Sequence, residues 1–482
     1  MADQSWDVLV VGGGTAGIAA ARAARAEGAR VALVERGPAL GGGCAFTACV
    51  PSKAIIEVAN LYWDLRRADR LGIRADGLRL DFPAVMAHKD AVIAEINRDE
   101  RPELFEEAGI ALLRGRLRFT GPNEAEVEGE PHPFERAVIA TGSDPAVPPG
   151  LGLEGVPFLT NETIFSLTEL PGRLIVLGGG PIGLELGQAF GRLGSRVTVL
   201  HGRDQLLPRE DPDVGALVAE ILAGEGLDLR LRTMASGIER RDGAIAVRAR
   251  GPEGEEELAA DAVLVATGRH PRVAGIGLDT LGVDHSPGGV AVDEHMRTCE
   301  RHVFAAGDVT GQYMFTHVAA HEGRIAGQNA AGKKAKADYR VVPWVTFLDP
   351  EVARVGLTEP QAQGEHGGVE VVHLPMSRVD RARMLGEPVG FVKLVTAGRR
   401  VAGRRGGAEI VGAHIVGPHA GELLHEVVVA MQSRTLLGPL SETMHAYPTT
   451  SMAVQQAASQ LSPLGGALDE DGERPMGSAK GG

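Results

Sequence analysis

At two places in the chain, a short apolar run leads directly into a glycine-rich turn and then into helix-forming residues. The runs, residues 7–11 and 174–177, predict buried strands of a parallel sheet. Both turns have the spacing G-x-G-x-x-G, formed by Gly12, Gly14 and Gly17 in the first and by Gly178, Gly180 and Gly183 in the second. Such glycines let the backbone approach a pyrophosphate closely, and the following helix supplies free amides and the positive end of its dipole. The sequence therefore predicts two dinucleotide sites on an α/β fold.

The residue that ends the strand after each turn indicates which nucleotide binds there. After the first turn this residue is Glu35, whose carboxylate is suited to the two ribose hydroxyls. After the second turn His201 has this place, with Arg203 two positions further on. A carboxylate would repel a 2′-phosphate, whereas Arg203 could pair with one, so the sequence favours NADPH. The alternative is that His201 and Arg203 are solvated loop residues, which leaves NADH possible.

Two of the three cysteines, Cys44 and Cys49, have the spacing C-x-x-x-x-C just before a predicted helix that begins near Pro51. A bridge across so short a loop would stabilise the fold little, so the sequence predicts a redox disulfide. The helix N-terminus and the charge of Lys53 would both stabilise a thiolate, which makes Cys49 the sulfur with the lower pKa. The alternative is a pair of buried structural thiols. Cys299 has no such neighbours and is interpreted as structural.

Further motifs follow in order, namely Ala-Thr-Gly at 140–142, Ala-Thr-Gly-Arg at 266–269, Ala-Gly-Asp-Val at 306–309, and the segments 349–359 and 412–418. With both turns and the cysteine motif, the chain resembles the pyridine nucleotide-disulfide oxidoreductases. This flavoenzyme family contains glutathione reductase, dihydrolipoyl dehydrogenase and mercuric reductase. The resemblance extends over roughly residues 5–462.

The resemblance assigns the first turn to FAD and the second to the nicotinamide nucleotide. It implies that Cys49 lies against the flavin, that Cys44 meets the substrate, and that Asp308 binds the ribityl chain. Lys53 would lie near the flavin and pair with Glu185, since a buried lysine needs such a partner; an exposed helix acid is the alternative for Glu185. Gly12, Gly14, Gly17 and Glu35 would hold the ADP half of FAD. Further implied cofactor contacts are Gly43, Gly115, Thr141, Gly142, Gly268 and Arg269.

The repeats and the resemblance together predict two Rossmann-like domains and a C-terminal α+β interface domain. Residues 1–150 would bind FAD and carry the disulfide, 151–270 would bind NAD(P), and 271–343 would complete the FAD site. Residues 344–461 would form the dimerisation domain, because relatives build each active site from two chains. Residues 462–482 are predicted to be a disordered tail, since they are polar and lack periodicity.

Composition narrows the class of partner. The chain has 482 residues, with 63 acidic against 49 basic ones and a net charge of −14, which disfavours nucleic acid and anionic membrane surfaces. No apolar run is expected to reach the length of a membrane span, and the first residues do not have the pattern of a signal peptide. Three cysteines fit a reducing compartment. We therefore expect a cytoplasmic enzyme with a small-molecule acceptor.

The interface domain differs from the family at the residues that act as acid and base. In the relatives that handle thiols, two histidines precede Pro-Thr, and the second one, paired with a glutamate, acts as acid and base. Here His445 keeps the first place, Tyr447 takes the second, and Met452 takes that of the glutamate. A tyrosine with a pKa near ~10 cannot exchange protons at neutral pH as imidazole does. The sequence therefore disfavours efficient reduction of glutathione disulfide or lipoamide, unless His445 substitutes as the base.

Mercuric reductase also has tyrosine at this place, and residues 206–212 are similar to that enzyme. Soft Hg(II) suits paired cysteine sulfurs. Mercuric reductase also has a C-terminal cysteine pair. This chain has no counterpart of that pair, because no cysteine follows Cys299. The first hypothesis is a mercuric-reductase-like enzyme that passes a hydride from NADPH to FAD, then electrons to Cys44 and Cys49, and finally to a small electrophilic, metal or disulfide acceptor. The alternatives are a dihydrolipoyl dehydrogenase with an altered acid-base residue and a non-catalytic flavin-bound redox or metal sensor.

Overall fold

The computed structural model describes residues 5–153, 155–241, 243–386, 388–401 and 404–461. These residues form two compact units. The first unit contains the described residues up to Asp204 together with Glu225–Asp338, and the second contains Gln205–Gly224 together with the described residues from Tyr339 onward. The predicted disordered tail lies outside the described residues. The finer domain boundaries stay predictions.

Helices and strands are numbered in chain order. The helices are α1 (Thr15–Ala26), α2 (Gly42–Thr47), α3 (Cys49–Arg66), α4 (Phe82–Ile96), α5 (Pro102–Glu107), α6 (Pro181–Leu193), α7 (Pro212–Gly224), α8 (Leu278–Leu281), α9 (Thr316–Ala330), α10 (Glu359–Glu365), α11 (Asp380–Leu385), α12 (Ala420–Gln432), α13 (Leu437–Glu442) and α14 (Met452–Leu461). The strands of the first unit are β1 (Trp6–Val11), β2 (Val31–Glu35), β3 (Ile110–Arg114), β4 (Leu117–Gly121), β5 (Glu124–Val127), β6 (Glu130–Ile139), β7 (Ser143–Pro145), β8 (Arg173–Leu177), β9 (Arg196–His201), β10 (Asp228–Leu231), β11 (Met234–Arg241), β12 (Ala244–Gly251), β13 (Gly254–Ala260), β14 (Ala262–Val265), β15 (Arg269–Pro271), β16 (His285–Ser286), β17 (Gly289–Val290) and β18 (Val303–Ala305). The strands of the second unit are β19 (Pro343–Thr346), β20 (Glu351–Gly356), β21 (Val369–Pro375), β22 (Phe391–Val401) and β23 (Arg404–Gly417).

The first unit is built on a parallel sheet in the order β3-β2-β1-β6, which β18 joins beside β6. Val8, Leu9 and Val10 in β1 are fully buried, as expected for a strand that is covered on both faces. Helices α1 and α9 pack closely, because Gly323 of α9 lies against the backbone of α1; a Cβ at Gly323 would lie 2.1 Å from Ala16 O. This sheet confirms the first Rossmann-like fold.

A second parallel sheet in the same unit has the order β10-β9-β8-β14. Its strand β8 leads through the second glycine turn into α6, as the sequence predicted. An antiparallel sheet, β11-β12-β13, packs against it through a common core that includes Ile175, Val247 and Val263. The predicted α/β class with two dinucleotide-binding folds is therefore confirmed.

The second unit is an antiparallel sheet in the order β19-β20-β23-β22-β21, with helices packed on it. Its core includes Val392, Ile415, Leu424, Val427 and Ala457, which are all fully buried. Helices and antiparallel strands are combined as the predicted α+β domain required.

Helix α7 belongs to the second unit, although its sequence falls within the predicted 151–270 segment. Ion pairs that are largely buried fix the start of this helix. Lys393 Nζ lies 3.0 Å from both Asp211 Oδ2 and Asp213 Oδ2, and His414 Nε2 lies 3.1 Å from Glu210 Oε2. Because breaking such a pair leaves an uncompensated buried charge, the network strongly favours this placement of α7.

One helical stretch in the described part of the chain, Gly42–Arg66, is long and apolar enough to cross a membrane by length and composition. Length and composition alone do not make it a membrane span, because the core helix of a protein outside the membrane passes the same test. The stretch is divided into α2 and α3 at Ala48, and Ile55 and Ala59 of α3 are fully buried inside the first unit. Such burial is typical of a core helix, and we interpret the stretch in that way.

Candidate active site

The first glycine turn has the geometry that a pyrophosphate requires. Gly12 has a φ of +110°, and a Cβ there would lie 2.3 Å from Ala140 O. A Cβ at Gly17 would lie 1.7 Å from Gly12 O, so the third glycine lets α1 pack against the turn. Gly14 caps the 12-residue helix α1 without a side-chain hydrogen bond, and a Cβ there would meet only Gly42 Cα, at 3.8 Å. The turn therefore has the open cradle of backbone amides that an anionic ligand needs.

Glu35 lies beside this turn at the end of β2. Its Oε2 accepts a hydrogen bond from Gly13 N at 2.7 Å, and its Oε1 accepts one from Gly37 N at 2.6 Å. Gly115 N donates to the backbone oxygen of Glu35 at 3.0 Å, while Gly43 lies in α2 next to Cys44. The residues predicted to hold the ADP half of FAD are thus close to one another, and their chemistry fits that group.

The second turn repeats the first. Gly178 has a φ of +119°, and a Cβ there would lie 2.4 Å from Ala266 O. A Cβ at Gly183 would lie 2.1 Å from Gly178 O, and Gly180 caps α6 without any neighbour within 4 Å of its own Cβ position. This turn therefore fits a second dinucleotide.

His201 has the structural place of Glu35 at the second turn. Its Nδ1 accepts a hydrogen bond from Gly179 N at 3.1 Å, as Glu35 does from Gly13 N. Arg203, two residues further on, is exposed. The turn is therefore held without a carboxylate, and the exposed charges that follow it are Arg203 and Asp204.

The two cysteines lie at the junction of α2 and α3. Cys44 is in α2, Cys49 begins α3, and both are half-buried free thiols. The hydroxyl of Thr316 lies 3.2 Å from Cys44 Sγ and 3.3 Å from Cys49 Sγ. The two sulfurs that the sequence predicted to act together therefore share one neighbour.

The two sulfurs differ strongly in acidity. The hydrogen bond with Cys44 lowers the pKa of Cys49 to about 6; burial opposes this shift, and Thr316 and the charge of Lys53 support it. The same hydrogen bond, together with burial, raises the pKa of Cys44 well above its usual range. Sequence reasoning attributed the acidity of Cys49 to Lys53 and the helix N-terminus, whereas the largest cause is the neighbouring thiol. In the reduced pair, Cys49 therefore carries the charge and Cys44 carries the proton.

Lys53 and Glu185 meet as the sequence predicted. Lys53 Nζ lies 2.7 Å from Glu185 Oε2, and the side chain of Glu185 is only 7% exposed. Helices α3 and α6 supply the two residues, and α3 also begins with Cys49. One helix therefore positions both the acidic thiol and the lysine.

A third group of predicted residues gathers around Ser143. Arg269 Nε donates to Ser143 Oγ at 2.8 Å, and Ser143 Oγ donates to Asp308 Oδ2. Arg269 also donates to Asn161 Oδ1 at 3.1 Å. Thr141 donates to the backbone oxygen of Arg272, and two glycines beside these strands have positive φ, Gly142 at +78° and Gly268 at +130°. The structure thus links the first dinucleotide fold, the second one and Asp308 within a single unit.

His445 and Tyr447 belong to the second unit. His445 Nε2 lies 2.7 Å from Glu426 Oε1, and its Nδ1 lies 2.9 Å from Thr443 O. Both partners are acceptors, so both contacts are hydrogen bonds only when both ring nitrogens carry hydrogen. Tyr447 is 65% exposed and donates to Asp380 Oδ2 at 3.2 Å. His445, rather than Tyr447, therefore forms the imidazole–carboxylate pair in this segment.

Sequence reasoning missed Thr316, Glu426 and Ser143. Thr316 is distant from the cysteines along the chain, and Glu426 lies inside α12 without any motif around it. Ser143 directly follows the Ala-Thr-Gly motif, and this position was the available signal. Contacts of this kind follow from the fold and not from spacing.

Comparison with known families matches nearly the whole chain. Residues 6–323 match the model described as pyridine nucleotide-disulphide oxidoreductase, and residues 342–458 match the dimerisation domain of the same family. Dihydrolipoyl dehydrogenase of Thermus scotoductus is 36% identical over 468 residues, which cover 95% of this chain and 98% of that protein. Mercuric reductase of Streptomyces lividans is also 36% identical over 468 residues, covering 95% and 96%.

Among solved structures, the Cu(II) complex of the HOCl-induced flavoprotein disulfide reductase RclA from Escherichia coli is similar, with a TM-score of 0.84 and 28% identity. The match covers 95% of this chain and all of that one. The cysteine pair lies where this family has its redox-active disulfide, and the dimerisation domain supports a homodimer. The chain therefore belongs to the pyridine nucleotide-disulfide oxidoreductases, and it is an enzyme that binds FAD and uses NAD(P)H.

Proposed function

We propose that this enzyme uses NADPH to reduce the Cys44–Cys49 pair, and that the pair then reduces a small soft acceptor for which Hg(II) is the representative substrate. The observation that carries the proposal is the placement of the two sulfurs 3.2 and 3.3 Å from one hydroxyl, that of Thr316; the pKa values agree, since that of Cys49 is lowered and that of Cys44 is raised. At neutral pH the pair therefore offers one thiolate, which is the nucleophilic form of cysteine.

The cofactor residues support this electron path. Bound FAD would supply the two-electron transfer between NADPH and the disulfide. Gly14 and Glu35 would hold its ADP half, and Asp308 would bind its ribityl chain. The charge of Lys53 favours the thiolate of Cys49, and its ion-pair partner Glu185 opposes this effect.

The preference for NADPH is supported by the second turn. His201 accepts the turn amide that a carboxylate accepts at the first turn, so no acid is needed there. Arg203 is exposed close by in the chain and can pair with a 2′-phosphate.

The acceptor step balances within the cysteine pair. Two electrons leave the pair as the Cys44–Cys49 disulfide forms, the one proton on Cys44 is released because Cys49 is already a thiolate, and Hg(II) becomes Hg(0). This step needs no acid-base residue to protonate a leaving thiol. It therefore tolerates the exposed Tyr447, which is paired with Asp380, at the place of the proton-shuttling histidine. The similarity to mercuric reductase of Streptomyces lividans supports the same acceptor class.

An anaerobic acceptor panel tests the proposal. Purified enzyme is given NADPH with Hg(II), Cu(II), glutathione disulfide, lipoamide or a quinone, and NADPH oxidation is followed for wild type and Cys44→Ser. We expect the highest kcat/KM with Hg(II), and at least a hundredfold loss in Cys44→Ser. Highest turnover with a disulfide, or metal reduction that survives Cys44→Ser, would contradict the proposal.

A dihydrolipoyl dehydrogenase with an altered base is the second candidate. The pair formed by His445 and Glu426 favours it, because an imidazole with a carboxylate partner can exchange protons at neutral pH. His445→Gln should then abolish lipoamide turnover, Glu426→Gln should reduce it, and the control Tyr447→Phe should leave it unchanged. Equal lipoamide activity in His445→Gln and wild type would exclude this candidate.

The assembly and the compartment belong to the same proposal. The dimerisation domain supports a homodimer, and active sites shared between its two chains are what we expect. A cytoplasmic location would give the thiol pair both a reducing environment and NADPH.

A further inference from the structure

The hydroxyl of Thr316 is placed between the two sulfurs of the redox pair. It lies 3.2 Å from Cys44 Sγ and 3.3 Å from Cys49 Sγ, which is within hydrogen-bond reach of both. Both distances are short for contacts that involve the large sulfur atom, and Thr316 is itself partly buried. One hydroxyl oxygen is therefore within hydrogen-bond distance of both reacting sulfurs.

The backbone holds this hydroxyl in place. Thr316 is the first residue of the 15-residue helix α9. That helix packs against α1 at Gly323, where a Cβ would clash with Ala16 O at 2.1 Å, so the two backbones are in direct contact. Glu322 of α9 is fully buried and accepts a hydrogen bond from Gly307 N at 2.7 Å. The oxygen of Thr316 is thus fixed while its hydrogen can rotate.

A hydroxyl has one hydrogen, so it can donate to only one sulfur at a time. In the reduced pair the two sulfurs share one proton and one negative charge. We propose that Thr316 is a positioning residue of the redox pair, and that its hydroxyl hydrogen is donated to whichever of Cys44 and Cys49 carries the charge. This inference rests on the proposed function, in which Cys44 must become nucleophilic towards the acceptor.

The step is a proton transfer within the pair. The proton leaves Cys44 Sγ and binds Cys49 Sγ, so the charge moves from Cys49 to Cys44 without any change in oxidation state. The hydroxyl of Thr316 rotates from Cys49 to Cys44, and neither sulfur loses a donor while it is charged. The shift in acidity agrees, since the hydrogen bond of Thr316 lowers the pKa of both cysteines.

The test removes the hydroxyl of Thr316 and keeps the shape of the side chain, as Thr316→Val does. Full-length enzyme is purified as wild type, Thr316→Val, Thr316→Ala and Thr316→Ser, together with the control Thr280→Val, which changes an exposed threonine in α8. The pair is reduced chemically, and iodoacetamide alkylation of each cysteine at pH 7 is measured by mass spectrometry. The equilibrium of the pair with a glutathione redox buffer is measured in parallel.

We expect alkylation of Cys49 to slow about tenfold in Thr316→Val and Thr316→Ala, because a hydrogen bond to a charged group is lost. The reduced fraction of the pair in the redox buffer should fall in both variants, because a stabilised thiolate favours the reduced form. Thr316→Ser and Thr280→Val should match wild type. Wild-type rates in both hydroxyl-free variants would overturn the proposal, and so would a Thr316→Ser variant that behaves like Thr316→Val, because packing would then be the cause.

The readout is independent of turnover. Neither NADPH nor the proposed acceptor Hg(II) is used, so a failure of that acceptor would leave the alkylation rates unaffected. If a variant misfolds, its cysteines should be alkylated at the same rates in native buffer as in denaturant. The other hydroxyl-free variant then decides the outcome.

Discussion

The hydrogen bond between the two sulfurs contributes most to the acidity of Cys49. Cys44→Ala removes this donor, whereas Cys44→Ser keeps a donor at the same place. The thiolate of wild-type Cys49 is present above pH 6 and is lost as the pH falls through that value. We expect half-maximal alkylation of Cys49 near pH 6 in wild type, and a midpoint shifted towards the ordinary value of about 8.5 in Cys44→Ala.

Cys44→Ser is the matched control, and its midpoint should lie between the other two because a hydroxyl still donates. The measurement is the pH dependence of alkylation rate on the chemically reduced protein. A Cys44→Ala midpoint equal to that of wild type would show that Lys53 and Thr316 alone account for the low pKa.

Arg203 determines the nucleotide preference in our account. Arg203→Gln should raise the KM for NADPH about tenfold and leave the KM for NADH nearly unchanged, because only NADPH has the 2′-phosphate. Arg203→Lys should retain part of the preference, since it keeps a charge but loses the bidentate geometry. Steady-state kinetics with both nucleotides provide the measurement. An equal rise in the KM for NADPH and for NADH would show that Arg203 supports the structure of the loop and does not recognise the 2′-phosphate.

Helices α3 and α6 are joined at two levels. Lys53 pairs with Glu185, and about two turns further along each helix Asn60 Oδ1 accepts from Arg192 Nη1 at 2.7 Å. Arg192 is 2% exposed and forms a bidentate pair with Glu225, with contacts of 2.9 and 2.5 Å. The second contact therefore fixes the register that brings Lys53 to Glu185.

The two partners of Arg192 should differ in their contribution to stability. Arg192→Met removes the charged partner of the largely buried carboxylate of Glu225 and leaves it only the hydrogen bond from Gln188 Nε2 at 3.1 Å, so we expect a loss of about 3–5 kcal/mol in the free energy of unfolding of the first unit. Asn60→Ala should cost about 1 kcal/mol. The measurement is urea unfolding followed by tryptophan fluorescence, to which Trp6 and Trp344 contribute together with Trp63, whose ring lies 5.4 Å from the Arg192 guanidinium. A loss in Arg192→Met as small as that in Asn60→Ala would contradict the argument.

Sequence reasoning succeeded for elements whose chemistry is local. The glycine turns and the position of Cys49 at the start of α3 follow from short motifs, whereas the pairing of Lys53 with Glu185, 132 residues away, came from the family resemblance. Thr316 could not be found in this way, because 267 residues separate it from Cys49 and only the packing of α9 brings them together. Glu426 is only 19 residues from His445, but it lies inside α12 with no motif around it to mark it.

At the level of the whole chain, the parallel and antiparallel sheets were predictable from the repeats and the family motifs. The placement of α7 was not, since it depends on buried ion pairs between Lys393 and two aspartates that lie far from it in sequence. Long-range charge pairing leaves no periodic signal, which is why sequence reasoning put this helix in the 151–270 segment.

The central claim is that Cys44 and Cys49 are the electron store between NADPH and the acceptor. The most direct measurement is anaerobic titration of the oxidised holoenzyme with NADPH, with differential alkylation of each cysteine and long-wavelength absorbance recorded at every step. We predict that Cys44 and Cys49 become alkylatable together, that Cys299 does not change, and that a charge-transfer band appears and is absent in Cys49→Ser. Complete NADPH oxidation without any new thiol at Cys44 and Cys49 would contradict the account.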